Sequence, residues 1–264
     1  MKTGSHKLIQ VTDSHLFETE AGKLLGMNTQ FSLLAVLDLI RAEQPAFDLI
    51  LATGDLAQDG SVSAYQYLRD QLAGFNCPQY WLPGNHDNRD NMLRVVSTAA
   101  EMRPVIDLGN WQIIMLDSQV VGSVHGRLGK SQLDLLEQAL SAAPEKHSLI
   151  CMHHHPLPAG CKWLDTQQIK NSAEFLNLIK AHANVKAVLW GHVHQDRNEL
   201  IDGVRYMSTP STCVQFEPHS NDFAVDKEAP GYRELNLHAD GSITSHVSRV
   251  SDIEFEIDYT IKGY

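Results

Sequence analysis

Five short stretches of this chain place metal-ligating side chains at the ends of apolar runs: "LIQVTDSH", "LILATGD", "YWLPGNHD", "LICMHHHP" and "LWGHVHQD". Together they supply Asp13, His15, Asp55, Asn85, His86, Asp87, the consecutive His153, His154 and His155, and the pair His192 and His194. Each piece alone has a plain reading. Asp13, Asp55, Asn85 and Asp87 are good turn or helix-cap residues, and the histidines suit solvated loops or a core position. Yet all five clusters end strand-like runs, and ligands in layered α/β proteins bind beyond the carboxyl ends of strands. Unrelated caps and loop residues do not account for that shared placement. Side chains two apart on an extended segment share a face, so His192 and His194 are expected to aim at one point.

Carboxylates, imidazoles and an amide oxygen, without thiolates, suit Mn, Fe, Zn or related divalent ions rather than a cysteine zinc site. About seven such ligands exceed one tetrahedral centre; they are the right supply for two ions ~3.5–4 Å apart sharing a carboxylate. That arrangement clamps both oxygens of a phosphoryl displacement.

The elements that must position these residues follow from periodicity. "HKLIQVTD", "FDLILATGD", "PQYWLPGNHD", "WQIIMLDS", "HSLICMHHHP" and "VKAVLWGHVH" read as strands. Helical spacing fills "NTQFSLLAVLDLIRAEQ", "SVSAYQYLRDQLAGF", "NRDNMLRVVSTAAEM", "GKSQLDLLEQALSAA" and "KNSAEFLNLIKAHA" between them. The first helix is expected to end before Pro45. Beyond Asn198 the pattern changes to hairpins, turning at Asp202-Gly203 and at Asp240-Gly241. No linker or repeat divides the chain, so residues 1–264 are expected to form one α/β domain with a strand-rich C-terminal third.

With 264 residues, 43% of them hydrophobic, the chain is long enough to bury one large core. No run approaches the ~18 apolar residues of a membrane span. The start shows no apolar leader before a cleavage site. The four cysteines lack metal or disulfide spacing and fit a reducing cytosol, so a cytoplasmic protein is expected. A net charge of −11 without any Lys/Arg-rich run argues against nucleic acid or an anionic membrane as partner. The oligomeric state leaves no mark in the sequence.

The ordered spacing D-x-H, GD, GNHD, H-x-P, GHVH, with "GRLGKSQLDLLEQAL" between the third and fourth motifs, resembles the calcineurin-like metallophosphoesterase family. The resemblance implies a four-layer αββα sandwich, two mixed β-sheets flanked by helices, with two divalent metals at one edge. Fe or Mn is expected, with Zn or Co as alternatives. It further implies that Asp13, His15 and His194 bind one ion, that Asp55 bridges, and that Asn85, His154 and His192 bind the other. His154 is selected from its neighbours by the H-x-P spacing, leaving His153 and His155 facing the other way.

A water between such ions loses its proton near neutral pH and becomes the nucleophile. His86 is the candidate for protonating the leaving oxygen. The resemblance gives Asp87 the task of orienting His86; a helix cap is the competing reading. "CMHHHPLPAGCKWLD", "STPSTCVQFEPH" and "PGYR" resemble a narrower group within the family, the bacterial 3′,5′-cyclic-AMP phosphodiesterases. That resemblance implies hydrolysis of 3′,5′-cyclic AMP to 5′-AMP. It implies that His15, Asp55, Asn85, His86 and His194 meet the substrate, and that segments 156–163 and 208–216 wall its pocket. The alternatives are another phosphomonoester or cyclic nucleotide as substrate, or a metal-free interaction scaffold of the same fold.

Overall fold

The computed structural model describes residues 4–263; Met1–Thr3, part of the start discussed above, and Tyr264 lie outside them. The elements begin with β1 (His6–Val11), the short pair β2 (Lys23–Leu24) and β3 (Met27–Asn28), α1 (Thr29–Glu43), β4 (Leu49–Thr53) and α2 (Val62–Ala73). They continue with β5 (Gln79–Leu82), α3 (Arg89–Val95), β6 (Val105–Asp107), β7 (Trp111–Met115), α4 (Lys130–Ala142) and β8 (His147–Cys151). The rest are α5 (Lys162–Asp165), α6 (Ser172–Lys180), β9 (Val185–Trp190), β10 (Arg197–Ile201), β11 (Val204–Ser208), β12 (Gly231–Leu237) and β13 (Ile243–Arg249).

Alternation along the strands builds the layers. Leu8, Leu49, Leu51, Leu149, Ala187 and Leu189 pack in one apolar cluster with Leu235 and Met207. Their sequence neighbours Ile9, Ile50 and Ala52 pack in another with Leu33, Val36 and Leu37 of α1 and Leu68 of α2. Val188, Trp190 and Ile150 join a third with Leu136 and Leu140 of α4 and Phe175 of α6. A strand whose two faces enter different clusters is buried on both sides. The result is helices, sheet, sheet, helices.

One sheet has the order β13-β12-β1-β4-β5 and the other β10-β11-β9-β8-β7-β6. Each has a parallel part: β1 with β4 and β4 with β5, which is the edge strand, then β7 with β8, β8 with β9 and β9 with β11. Antiparallel β12, β13, β10 and β6 flank them. All strands that carry the five motifs therefore lie in the parallel parts of the two sheets, and their carboxyl ends face one edge.

Local chemistry accounts for most boundaries. Asn28 caps α1 by accepting from the Phe31 N–H at 2.8 Å, and α1 stops at Glu43, ahead of Pro45. Asp202 and Gly203 both take left-handed φ, 50° and 81°, as a two-residue type I′ hairpin requires. The turn at Asp240-Gly241 is longer, with only Gly241 left-handed. The helix expected through Met102 ends at Val95. There the Ser97 hydroxyl accepts from the Ala99 N–H and the Glu101 carboxylate from the Ser97 N–H, replacing helical bonds.

Leu51 is fully buried between the sheets, on the strand that leads into Asp55. Leu51→Ala should cost about 2–5 kcal/mol of stability, read as a lowered urea midpoint. An unchanged midpoint would contradict the double-layer core.

Candidate metal centre

A common offset places four of the motif residues. Asp13, Asp55, His153 and His192 each lie two residues beyond the last residue of a strand: Val11, Thr53, Cys151 and Trp190. The chain turns sharply there. Asp13, His15, Asp55, His192 and His194 all adopt left-handed φ, of 55°, 45°, 48°, 65° and 50°. That region is uncommon for residues other than glycine and collects at functional sites. His192 and His194, expected to aim at one point from an extended strand, instead each sit at a turn and enter different ligand groups, His192 with His153 and His154, His194 with Asp13 and His15.

The first group is Asp13, His15 and His194, all buried, each with a candidate ligand atom within 4.8 Å of the others. His15 Nδ1 lies 2.6 Å from Gln58 Oε1, and His194 Nδ1 lies 2.8 Å from the Val214 carbonyl. Both acceptors take a proton, so both rings carry theirs on Nδ1. The two Nε2 atoms face each other at 3.2 Å, and where both rings are neutral both present lone pairs. Burial, with His86 and His194 nearby, pulls His15 down to about 3 despite the Asp55 charge, so its ring stays neutral. Two lone pairs at that distance repel. A cation shared with Asp13, whose Oδ1 is 3.3 Å from His194 Nε2, turns the repulsion into binding.

The second group forms around Asp55. His153 Nδ1 sits 2.9 Å from the Thr53 carbonyl and therefore donates to it. His153 Nε2 then points at Asp55 Oδ2, 3.2 Å away, and at Asn85 Oδ1, 3.3 Å away. Burial opposes a charge on this ring, but the Asp55 and Asp13 carboxylates push its pKa up to about 9. Both carboxylates call for positive charge at this point. His192 contributes an Nε2 that is buried without a protein partner among the described residues. Asp55 lies within ligand distance of His15 on one side and of His153 on the other. The donor set suits a dinuclear divalent metal centre.

The three consecutive histidines separate by contact. The strand has ended at Cys151 and the chain bends, so the alternation expected of an extended segment does not apply, and all three rings are buried. Only His153 reaches Asp55 and Asn85. His154, singled out by its spacing, lies beside His153 and His192 with its Nδ1 on the Ser118 hydroxyl. His155 stacks on His192 at 5.6 Å and 18°.

His86 is half-buried, its ring edge-on to His15 at 5.1 Å and its backbone N–H donating to Asp55 Oδ1 at 2.8 Å. Asp87 does not cap α3; Asn88 does. The Asp87 carboxylate accepts from the N–H groups of Leu56, Ala57 and Gly84 and from the Tyr65 hydroxyl. Burial and the Asp55 charge raise its pKa to about 6, against those N–H bonds. It holds the 84–87 turn against the 55–57 turn and bears on His86 through that turn. His15, Asp55 and His194, expected to meet substrate, are closed to solvent, whereas Asn85 and His86 are open in part.

Glycines let the motifs interlock. A Cβ on Gly54 would stand 2.4 Å from His153 Nδ1, one on Gly84 2.2 Å from Asp55 Oδ1, and one on Gly191 2.5 Å from Asp13 Oδ2. The glycine of each motif makes room for a ligand from another. The segment 208–216, expected to wall the pocket, is buried, and Ser208 at its start lines a cavity beside the site. Ser211 Oγ donates to the Asp13 carbonyl, Val214 accepts from His194, and Phe216 stacks on the His194 ring at 4.2 Å. The loop 157–160 does line a cavity of about 510 Å³, together with His155, Arg197 and His219.

A family profile described as calcineurin-like phosphoesterase matches residues 6–196. Over 260 residues the chain is 47% identical to the 3′,5′-cyclic adenosine monophosphate phosphodiesterase CpdA of Escherichia coli (strain K12), covering 98% of this chain and 94% of that one. It is 43% identical to the protein of the same name from Pseudomonas aeruginosa, over 97% of this chain and 94% of the other. Among solved structures, a dimetal phosphatase from Danio rerio superposes with a TM-score of 0.66 at 15% identity, over 93% of this chain and 99% of that one.

Gly84→Ala should strip the centre without unfolding the chain, because the new Cβ would meet Asp55 Oδ1 at 2.2 Å and its backbone nitrogen at 2.3 Å. Elemental analysis should show reduced metal beside an unchanged far-UV spectrum. Gly129→Ala, where nothing lies within 4 Å, is the control. Full metal content in folded Gly84→Ala protein would refute the interlock.

Proposed function

The chain belongs to the calcineurin-like phosphoesterase family, and we propose that it hydrolyses 3′,5′-cyclic AMP to 5′-AMP. The observation that carries this reading is the likeness, along nearly the whole chain, to proteins named as 3′,5′-cyclic AMP phosphodiesterases. We read residues 1–264 as one domain with one such site.

In this reading Asp13, His15 and His194 hold one divalent ion, and Asn85, His153 and His192 hold a second. Asp55 reaches both. His153 replaces His154 in the set because its Nε2, and not that of His154, faces Asp55 and Asn85. Mn and Fe suit these ligands, with Zn or Co as alternatives. Two such ions would supply positive charge for the phosphoryl oxygens and an acidified water as nucleophile. The chain's own part is orientation and proton delivery. Gln58, Val214 and Thr53 fix the tautomers of His15, His194 and His153. His86, anchored through its backbone to Asp55, gives its proton to the departing 3′ oxygen.

We place the nucleoside in the cavity bounded by His155, Leu157, Gly160, Arg197 and His219, which the His155–His192 stack separates from the ligand cluster by one ring. We place the activity in the cytoplasm. Cys77, Cys151, Cys161 and Cys213 are all free thiols, which suits a reducing compartment. No helix of the described residues is long and apolar enough to cross a membrane.

Product chromatography with 3′,5′-cyclic AMP, cyclic GMP, 2′,3′-cyclic AMP and p-nitrophenyl phosphate tests the substrate. The expected outcome is 5′-AMP from 3′,5′-cyclic AMP, with some turnover of cyclic GMP, since apolar and stacking contacts discriminate modestly. Turnover of the monoester alone would refute the reading. His86→Ala should lower kcat by ~10²–10⁴ while metal content holds; loss of metal from that variant would make His86 a ligand.

A further inference from the structure

His154 is left over when the two ion sites are filled, and its hydrogen bonding is complete on one side only. Its ring is fully buried. The Ser118 hydroxyl lies 2.8 Å from its Nδ1 and 3.3 Å from its backbone nitrogen. The backbone N–H donates, so Ser118 Oγ accepts there. The hydroxyl proton needs an acceptor of its own, since Ser118 is itself fully buried. The His154 Nδ1 lone pair is the acceptor within reach, and a buried hydroxyl without one costs about 1–3 kcal/mol. Nδ1 therefore accepts, and the ring proton sits on Nε2.

That Nε2 has no protein partner among the described residues although it is buried. The ring lies at the candidate centre, 4.9 Å from the His153 ring and 4.7 Å from the His192 ring between centroids. His154 offers a nitrogen within 4.8 Å of nitrogens on both. With Nδ1 engaged by Ser118, Nε2 is the atom available to that cluster. In this tautomer it presents a proton. A protonated nitrogen does not bind a metal ion, but it does bind an oxyanion.

The ring is also held in place. A Cβ on Gly126 would stand 2.5 Å from His154 Cγ, so the backbone of residue 126 lies directly against it. Gly126 is fixed in turn, donating to the Gln167 carbonyl and accepting from the Lys170 N–H. Gln119, next to Ser118, donates from Nε2 to the carbonyls of Gly84 at 2.7 Å and Asp87 at 2.6 Å. The donor is thus coupled to the turn that carries Asn85 and His86.

We propose that His154 is a catalytic residue that donates its Nε2–H to a phosphoryl oxygen of the substrate, with Ser118 holding the proton on that nitrogen. This rests on the phosphodiesterase reading above. The ring forms no covalent bond and keeps its proton. Its effect is electrostatic: a fixed donor in a water-excluded site stabilises charge as it grows on the oxygen.

The test uses the full chain loaded with Mn and three variants: His154→Phe, which removes the N–H; His154→Gln, which returns an amide N–H near the same place; and Ser118→Ala. Metal equivalents per chain, the Kd of inorganic phosphate and kcat on 3′,5′-cyclic AMP are measured for each. All three variants should keep the wild-type metal content. His154→Phe should bind phosphate ~10-fold more weakly and lose ~10²–10³ in kcat, as when one oxyanion donor is removed. His154→Gln should recover part of both losses, and Ser118→Ala should show a smaller loss of the same kind. Reduced metal content in folded His154→Phe would make His154 a ligand and overturn the proposal. Wild-type phosphate affinity in both His154 variants would overturn it too. If His154→Phe does not fold, His154→Gln and Ser118→Ala decide, and wild-type phosphate affinity in both refutes the role. Should the wild type cleave a different phosphoester, the substrate reading falls, while metal content and phosphate affinity still judge His154.

Discussion

Two carboxylates buried side by side are the constraint that the rest of the structure answers. Asp13 and Asp55 are 0% and 1% exposed. An ionised carboxylate moved from water into a protein interior costs several kcal/mol unless charge and hydrogen bonds replace its hydration. Burial pushes both toward the neutral acid, yet His194 and His153 hold Asp13 below its ordinary value, and His153 and His86 do the same for Asp55. The remaining compensation comes from donors on other motifs. The His192 N–H serves Asp13, and the His86 N–H serves Asp55. Each bond that stabilises a charge therefore also joins two distant pieces of sequence.

The two sheets have to meet in a fixed register for this to work. Asp13, His15, Asp55 and Asn85 follow strands of one sheet, and His153, His192 and His194 follow strands of the other. Apolar packing between the layers sets their spacing but not how they slide. A polar strap crosses the gap near the site. Gln10 of β1 donates from Nε2 to Thr53 Oγ1 at 2.7 Å and accepts from the Thr209 hydroxyl. Arg233 of β12, 1% exposed, donates to Thr209 Oγ1 at 3.1 Å, to the Ser208 carbonyl at 2.6 Å and to Asp196. Hydrogen bonds are directional, so these contacts define a register where hydrocarbon contact alone would tolerate displacement.

Much of this was legible in the sequence, for identifiable reasons. Doubly buried strands such as "LILAT" and "VKAVLW" stand out as short unbroken apolar runs, and α1 and α2 as helical periods. The clusters at the strand ends follow from the same runs, because the parallel part of each sheet sends its carboxyl ends to one edge. The short α3 was harder to read. The helical period continues past Val95, but Ser97 and Glu101 bond the backbone locally and end the helix.

The choice among His153, His154 and His155 shows where period-based reasoning stops. Alternation holds only while the backbone is extended, and each ligand here follows a turn. The useful regularity is the offset from the strand: two residues past the end for Asp13, Asp55 and His192, which in "LICMHHHP" falls on His153. The segment 208–216, of which Ser208 lines the cavity, is mostly engaged in holding the site for a related reason. Hydroxyls, an amide and an aromatic next to a metal-ligand motif look ready to meet a substrate. Any loop buried around such a site also leaves its backbone carbonyls and N–H groups in need of partners. Ser211 and Gln215 bond the backbone of Asp13, Ser211 and Cys213, while Phe216 lies flat on His194. Composition alone does not separate residues that touch a ligand from residues that hold those that do. The difference is one of direction, and direction is set by turns that a residue alphabet records only indirectly, as a glycine beside a ligand.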